Sequence, residues 1–123
     1  MRIVRVECRW RVGDFGHVLH DCLEGLAYEQ GYRVEGVCRE LGLEERQFRR
    51  LFERDVGLTP KEWMAWERMV VARRLVGMGF DCSVVSEMLG FSHANSFRRE
   101  FSAVYGMTAT RFFEIRSGGE FRS

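Results

Sequence analysis

The sequence lacks the short motifs that mark the common classes of enzyme. It contains no glycine-rich phosphate loop and no nucleophile elbow, and the patterns SxxK, HExxH and GxSxG are all absent. No paired acid and base constellation is present either. We therefore expect that the chain is not an enzyme and that it uses no cofactor.

Cysteine occurs without any metal or disulfide pattern. The chain has four cysteines, and their spacing gives neither a CxxC pair nor a set of zinc ligands: Cys8, Cys22, Cys38 and Cys82. This usage of cysteine indicates a reducing compartment. His17, His20 and Asp21 could share one helix face near Cys22 and hold a metal. An exposed polar face of the first helix is the favoured interpretation, so no metal site is expected.

The sequence also lacks a signal peptide, a membrane-spanning run and a strong excess of either charge. It has 19 basic and 18 acidic residues, which gives a net charge of only +1. Residues 13–32 contain acidic side chains and no lysine or arginine, which predicts an acidic first helix. We expect one small domain in the cytoplasm, without a membrane partner.

Two stretches of the chain repeat each other. Residues 48–59 read FRRLFERDVGLT and residues 97–108 read FRREFSAVYGMT, so the pattern FRRxFxxxxG[LM]T recurs. Upstream, CRELGL at 38–43 aligns with SEMLGF at 86–91, and the second copy has one residue more before its FRR. Each copy of such a repeat is one supersecondary unit.

Each copy has the pattern of a helix-turn-helix. In the first copy a short apolar helix ends at a turn at Gly42, and a second helix over about residues 45–55 presents Phe48, Leu51 and Phe52 on one face. In the second copy the turn falls at Gly90, and a helix over about residues 93–104 presents Phe97 and Phe101. The repeat therefore predicts two helix-turn-helix units.

The face opposite these phenylalanines carries the functional residues. In the first unit it holds Arg46, Arg49 and Arg50, with Arg54 one turn further, and the second unit has Asn95, Arg98 and Arg99. Arginine binds guanine edges or phosphates through paired hydrogen bonds, and asparagine suits adenine. One such stripe would be read as a solvated helix face. Two stripes at matching positions of a repeat favour binding to DNA.

Residues 59–77 predict a long linker helix between the two units. Its start has a capping box with proline at the first helical position, formed by Thr59, Pro60 and Glu62. The tryptophans Trp63 and Trp66 are expected in the core. At ~1.5 Å per residue the helix would span roughly 25 Å. That length would allow flanking recognition helices to reach major-groove segments ~34 Å apart.

The chain resembles the DNA-binding domain of the AraC/XylS family of bacterial transcription regulators. The resemblance covers about residues 15–116 and rests on CRELGL, FRRLFERDVGLTPKEW, RMVVARRL, SEMLGFSHANSFRREF and GMTATRFFE. It implies an all-α fold of seven helices, with two helix-turn-helix subdomains joined by a linker helix. It also implies binding to double-stranded promoter DNA, contact with RNA polymerase and activation of transcription. By motif, its base-reading positions fall on Arg46, Arg49, Arg50, Ala94, Asn95 and Arg98, with Arg99 on phosphate.

Four positions depart from the family pattern. Glu44 stands where Ser or Thr usually caps the first recognition helix, and Glu45 follows it. Acidic residues suit a helix N-terminus but repel phosphate, although Glu can also accept a hydrogen bond from cytosine. Arg33 occupies the cap position of the preceding helix, Ala94 leaves one contact position without a polar group, and Ala109 replaces the proline that matches Pro60.

The N-terminal residues 1–12 alternate apolar and charged side chains, which predicts a short β-strand or arm outside the helical fold. A single strand needs a partner. It could pair with the C-terminal tail or with a second subunit, or remain unpaired as a basic arm near DNA. The remaining predicted parts are a first subdomain over 13–58, a second over 78–116 and a flexible Gly/Ser-rich tail over 117–123.

Three functions fit these features. The first is a sequence-specific DNA-binding regulator that acts as a monomer on an asymmetric site. The second is a helical protein-interaction module with weak or lost DNA binding, which Glu44, Glu45 and the low net charge would suit. The third is the DNA-positioning part of a larger repair or sensor protein. The two basic stripes favour the first.

Overall fold

The computed structural model describes residues 2–6, 9–14, 17–20 and 23–117. Within these residues three strands precede seven helices. The strands are β1 (Arg2–Val6), β2 (Arg9–Asp14) and β3 (His17–His20). The helices are α1 (Leu23–Glu29), α2 (Val34–Leu41), α3 (Glu45–Asp55), α4 (Pro60–Gly77), α5 (Cys82–Met88), α6 (Ala94–Tyr105) and α7 (Ala109–Arg116). The chain forms two compact units, Met1–Glu67 and Arg68–Ser123.

The helical part confirms the predicted fold class. From residue 23 to residue 117 the structure contains the seven expected helices and no strand. The first recognition helix and the linker helix lie where the sequence placed them, at Glu45–Asp55 and Pro60–Gly77. The second recognition helix is displaced by one residue, to Ala94–Tyr105.

The N-terminal region forms a sheet where the sequence analysis expected a single strand. Strands β1 and β2 pair antiparallel, with Ile3 opposite Val12, and β3 pairs antiparallel with β2. The expectation of a single strand that could remain unpaired is wrong, because the chain folds back and gives β1 a partner of its own. The predicted flexible tail lies, from residue 118 onward, outside the described residues.

The predicted acidic first helix is also shorter than expected. His17 and His20 belong to β3, so the suggested helix face that would carry them does not exist. Asp21 and Cys22 lie outside the described residues. The helix begins only at Leu23, because β3 uses the preceding residues to extend the sheet beside β2.

Each unit is built around three aromatic rings at matching repeat positions. In the first unit the Phe48 and Phe52 rings lie 5.0 Å apart, and Phe52 lies 5.4 Å from Trp63 of α4. In the second unit Phe97 and Phe101 lie 5.8 Å apart, and Phe101 lies 5.7 Å from Phe112 of α7. Each recognition helix is thus anchored to the helix that follows it. The four phenylalanines of α3 and α6 are fully buried.

The turn of each helix-turn-helix is closed in the same way. Gly42 and Gly90 have φ values of 69° and 76°, a left-handed conformation that favours glycine. The next residue then donates its backbone N–H back into the helix, from Leu43 to the Cys38 carbonyl and from Phe91 to the Ser86 carbonyl, both at 3.0 Å. These bonds satisfy carbonyls that the helix end would otherwise leave unpaired.

The linker helix α4 begins with the predicted capping box. The Thr59 N–H donates to Glu62 Oε1 at 2.9 Å, and the Glu62 N–H donates to Thr59 Oγ1 at 3.1 Å. Proline occupies the first helical position, where its missing N–H costs no hydrogen bond.

The prediction that both tryptophans are core residues is wrong for Trp66. Trp63 is 3% exposed, whereas Trp66 is 57% exposed. The buried face of the first turns of α4 is set by Trp63 and its neighbour Met64. At ~100° per residue Trp66 lies roughly 160° from Met64 and about 60° from Trp63, on the side of Trp63 away from Met64, so it falls outside the arc that these two residues bury.

The aromatic triplets predict a large difference between buried and exposed aromatic side chains. Phe52→Ala or Phe101→Ala should lower the free energy of unfolding by about 3–5 kcal/mol, because each removes a buried ring that holds a recognition helix. Trp66→Ala is the matched control and should change it by less than about 0.5 kcal/mol. Urea denaturation followed by circular dichroism measures all three, and an equal loss in Trp66→Ala would contradict the packing.

The capping box predicts a pH dependence of stability. Hydrogen bonds from the Thr59 backbone and side chain hold the pKa of Glu62 below its ordinary value. At pH values above the ordinary glutamate pKa, the ionised Glu62 carboxylate therefore stabilises the native state. This contribution is lost as the pH falls through the lowered pKa of the native state. In urea denaturation from about pH 3 to 7, the stability difference between wild type and Glu62→Gln should shrink toward acid. A difference that stays constant with pH would contradict it.

Candidate nucleic-acid interface

The first recognition helix, α3, presents the predicted arginines to solvent. Arg46, Arg49 and Arg50 are exposed, and none of them has an ion pair or hydrogen bond to another described residue. Glu44 lies at the N-cap in extended conformation, and its N–H donates to Gln47 Oε1 at 3.1 Å. The helix start is thus stabilised without a Ser or Thr cap.

An acidic residue that the sequence analysis overlooked shares this face. Glu53 is exposed and follows Arg46, Arg49 and Arg50 in the i, i+3, i+4, i+7 series of one helix face. The helical spacing alone could have found it. Its carboxylate reduces the positive charge at the far end of the stripe.

Arg54 differs from the other predicted contact residues of α3. Its Nε and one terminal nitrogen donate to the two carboxylate oxygens of Asp55 at 2.7 and 2.8 Å. Asp55 Oδ2 also accepts the backbone N–H of Ile3 at 2.9 Å, which attaches the edge strand β1 to the end of α3. The ion pair raises the pKa of Arg54 further above its ordinary value. Arg54 is therefore oriented toward the N-terminal sheet rather than toward the arginine stripe.

The second recognition helix, α6, presents the matching set. Asn95, Arg98 and Arg99 are exposed, and Arg98 donates to Asn95 Oδ1 at 3.0 Å across one helical turn. This bond holds the amide and the guanidinium side by side on the exposed face of α6. Arg98 also lines a cleft of about 300 Å³ with Phe80 and Phe113.

Other arginines of the second unit have structural partners. Arg68 donates to the Leu89 carbonyl at 2.9 Å and lies 3.5 Å above the centre of the Phe91 ring. Arg73 lies over Tyr105, and Arg116 over Phe112. Their positive charge supports the fold at aromatic faces, which separates them from the recognition-helix arginines.

Tyr105 connects the end of α6 to the linker helix. Its hydroxyl donates to the Met69 carbonyl at 2.7 Å, and burial raises the pKa of Tyr105. The ring also lies 4.8 Å from Phe101. This bond and the aromatic contacts fix the orientation of α6 within its unit.

The described residues also include potential metal ligands and a buried thiol. They contain no cluster of three or more His, Cys, Asp or Glu side chains that could hold a metal ion. Burial, with the nearby Glu45 and Glu35 carboxylates, raises the pKa of Cys38 to about 11, so this thiol stays protonated at neutral pH. Among the helices that the structure describes, none is long and apolar enough to cross a membrane.

The anchoring of β1 predicts a specific effect of Asp55. Asp55→Ala removes the acceptor for the Ile3 N–H, so amide hydrogen exchange across residues 2–6 should become faster. The free energy of unfolding should fall by about 1–3 kcal/mol. Arg54→Ala keeps the bond to Ile3 and serves as the control with a smaller effect. Unchanged exchange at residues 2–6 in Asp55→Ala would show that the sheet is held in another way.

Comparison with known proteins gives a consistent match. A family model described as "Helix-turn-helix domain" matches residues 37–115, more than half of the chain. The "Probable transcriptional regulator LumQ" of Photobacterium leiognathi is 36% identical over 76 residues, covering 60% of this chain and 31% of that protein. The "Bifunctional transcriptional activator/DNA repair enzyme Ada" of Escherichia coli is 33% identical over 107 residues, covering 84% and 28%. The chain thus spans about a third or less of the length of these relatives.

Solved structures share the fold. The C-terminal domain of the two-component response regulator yesN from Fusobacterium nucleatum superposes with a TM-score of 0.67 at 19% identity, covering 75% of this chain and 91% of that one. A transcriptional regulator from Chromobacterium violaceum, described as containing an AraC-type DNA-binding domain, gives a TM-score of 0.64 at 20% identity, covering 76% and 87%.

Proposed function

The chain belongs to the AraC-type helix-turn-helix family of DNA-binding transcription regulators, and we propose that α3 and α6 each enter a major-groove segment of one DNA site. The observation that carries this proposal is the repeat of one arrangement in both units. In each, an aromatic triplet holds a helix whose outward face carries exposed Arg or Asn at equivalent positions. If only one unit bound DNA, the other recognition helix would not need Arg or Asn at the equivalent positions.

The residues divide into two roles under this proposal. Arg46, Arg49 and Arg50 read bases from α3, and the bonded pair Asn95 and Arg98 reads bases from α6. Arg99 contacts phosphate. Arg54 remains a predicted contact that would first have to leave Asp55, so its contribution should be the smallest of the set.

Under this proposal, the two recognition helices use neighbouring groove segments of one site. At ~1.5 Å per residue, the 18 residues of α4 make a continuous helix of roughly 27 Å. Adjacent major-groove segments on one side of the duplex lie ~34 Å apart. We propose a monomer on an asymmetric promoter site, acting in the bacterial cytoplasm on the nucleoid. We further propose that it activates transcription through RNA polymerase.

Selection of bound sequences from a random duplex pool tests this function. An enriched site with two blocks about one helical turn apart is the expected result. Enrichment of one block would restrict base reading to one unit. No enrichment combined with no salt-dependent binding would rule out the DNA-binding function for this chain.

Substitution of single arginines tests the roles of the two helices. Arg49→Ala and Arg98→Ala should each weaken binding to the selected site by about 1–3 kcal/mol, because each removes a base contact. Binding to random duplex should change much less, and thermal stability should stay the same. Arg111→Ala on α7, whose side chain lies 3.9 Å from Glu114, is the control. Fluorescence anisotropy on both duplexes measures the difference, and equal losses on both would assign the residue to phosphate.

A protein-interaction module is the second candidate. Exposed apolar side chains favour it, since Trp66 and Met78 are 57% and 68% exposed. Trp and Met side chains are enriched at protein interfaces relative to the rest of a protein surface. If the selection experiment fails, this function would become the leading one. If it succeeds, the same side chains are available for a protein partner of the DNA-bound regulator.

A further inference from the structure

A basic cleft lies beside the first recognition helix. It has a volume of about 400 Å³, and its lining includes Glu45, Arg46, Arg49, Thr59, Pro60 and Lys61. The cleft brings two arginines of the predicted stripe next to a cation of another helix, since Lys61 is the second residue of α4. Lys61 is the only lysine in the chain and was not among the predicted contact residues.

The cations of the cleft are available to bind a ligand. Arg46, Arg49 and Lys61 are exposed, and within the described part of the chain none of them forms an ion pair. The nearby carboxylate of Glu62 accepts hydrogen bonds from Thr59 Oγ1 at 3.0 Å and the Thr59 N–H at 2.9 Å. Glu62 is therefore directed toward Thr59 and does not neutralise Lys61.

The charge of the cleft suits one anionic group. Among the described residues that line the cleft, Arg46, Arg49 and Lys61 carry positive charge and only Glu45 carries negative charge. The lining also includes Val34, Glu45 and Pro60, the first residues of α2, α3 and α4. Helix N-termini add partial positive charge to that of the side chains.

We propose that Lys61, in this cleft, contacts a phosphate of the DNA backbone from outside the recognition helix, while Arg46 and Arg49 keep their proposed base contacts. The proposal rests on the proposed function, because it assumes that α3 lies in the major groove. Phosphate contacts come from elements that flank the groove and fix the register of the protein on the duplex. Lys61 meets this requirement, as a compact point charge on the neighbouring helix. By holding the backbone, it orients Arg46 and Arg49 toward the bases.

Loss of one phosphate contact has a defined signature. The slope of log K against log salt changes by about 0.9 for each phosphate that the protein neutralises. Lys61→Ala should therefore make the slope shallower by about 0.9, which corresponds to roughly an eightfold loss of affinity at 0.1 M salt relative to 1 M. The loss should be equal on the selected site and on random duplex. Lys61→Arg should restore the wild-type salt slope and the wild-type affinity. Glu45→Gln should strengthen binding to the selected site and to random duplex, because it removes the carboxylate of the cleft.

A backbone substitution in the DNA locates the contact. Duplexes of the selected site carry a neutral methylphosphonate at one position at a time. Wild type should lose affinity at the phosphate bound by the cleft, and Lys61→Ala should lose nothing further there. Such non-additive losses would show that Lys61 and this phosphate contact each other. Arg74→Ala, which removes another exposed cation of α4, should stay additive with the same methylphosphonate.

Acylation of the chain's single lysine gives an independent readout. Bound DNA should protect Lys61 from an amine-acylating reagent, as measured by mass spectrometry of the Lys61 peptide. If wild type binds DNA while Lys61 stays fully reactive and Lys61→Ala keeps the wild-type slope, the inference is wrong and the proposed function stands. If wild type binds no DNA, the proposed function itself fails.

Inorganic phosphate distinguishes a DNA phosphate from a free anion. At equal ionic strength, replacing chloride by phosphate should shift the melting temperatures of wild type and Lys61→Ala by the same amount, because phosphate stabilises folded proteins in general and a single anion lacks the contacts of the groove. A rise in melting temperature that depends on Lys61 would overturn the assignment to DNA and make the cleft a site for a free phosphate.

Discussion

The contact between each recognition helix and the helix that follows it is the interaction on which the rest of the structure depends. Phe52 against Trp63 and Phe101 against Phe112 fix two helices whose outward faces are otherwise polar. Neither recognition helix could hold its position through its exposed residues, because these face solvent. The left-handed glycines at 42 and 90 complete the arrangement by setting the turn that precedes each helix.

The commitment of individual arginines explains how a chain of net charge +1 can serve a DNA-binding fold. Arg54, Arg68 and Arg73 are bound to a carboxylate, a carbonyl and an aromatic ring, respectively. The arginines of the α3 stripe have no such partner among the described residues. Under the proposed function, the positive charge available for DNA is therefore local to the recognition faces, and the total charge does not reveal it.

Much of the helical fold could be predicted from the sequence, because its local signals agree with one another. The FRR repeat, the turn glycines and the Thr59–Glu62 box each specify a conformation within a few residues. Exposure of Trp66 could not be predicted in this way, since it depends on which side of α4 Met64 occupies. The N-terminal sheet was missed because a hairpin and a single alternating strand have the same period of two.

The candidate site was predicted in part. The repeat identified the exposed stripes of α3 and α6, whose roles on DNA stay predictions. Arg54 pairs with its neighbour Asp55, which also accepts the N–H of Ile3 in the N-terminal strand, and no local pattern contains that contact across 52 residues. Lys61 escaped notice for a similar reason, because it lines one cleft with Arg46 from a different helix, and no local pattern contains that.

The central claim is that both units contact one DNA site. Hydroxyl-radical footprinting of the bound duplex tests it directly, since this reagent cleaves every accessible sugar of the backbone. The account predicts two protected blocks about one helical turn apart on the same side of the duplex. It also predicts that Phe101→Ala, which releases α6, removes one block and leaves the other. A single protected block in the wild-type complex would contradict the account.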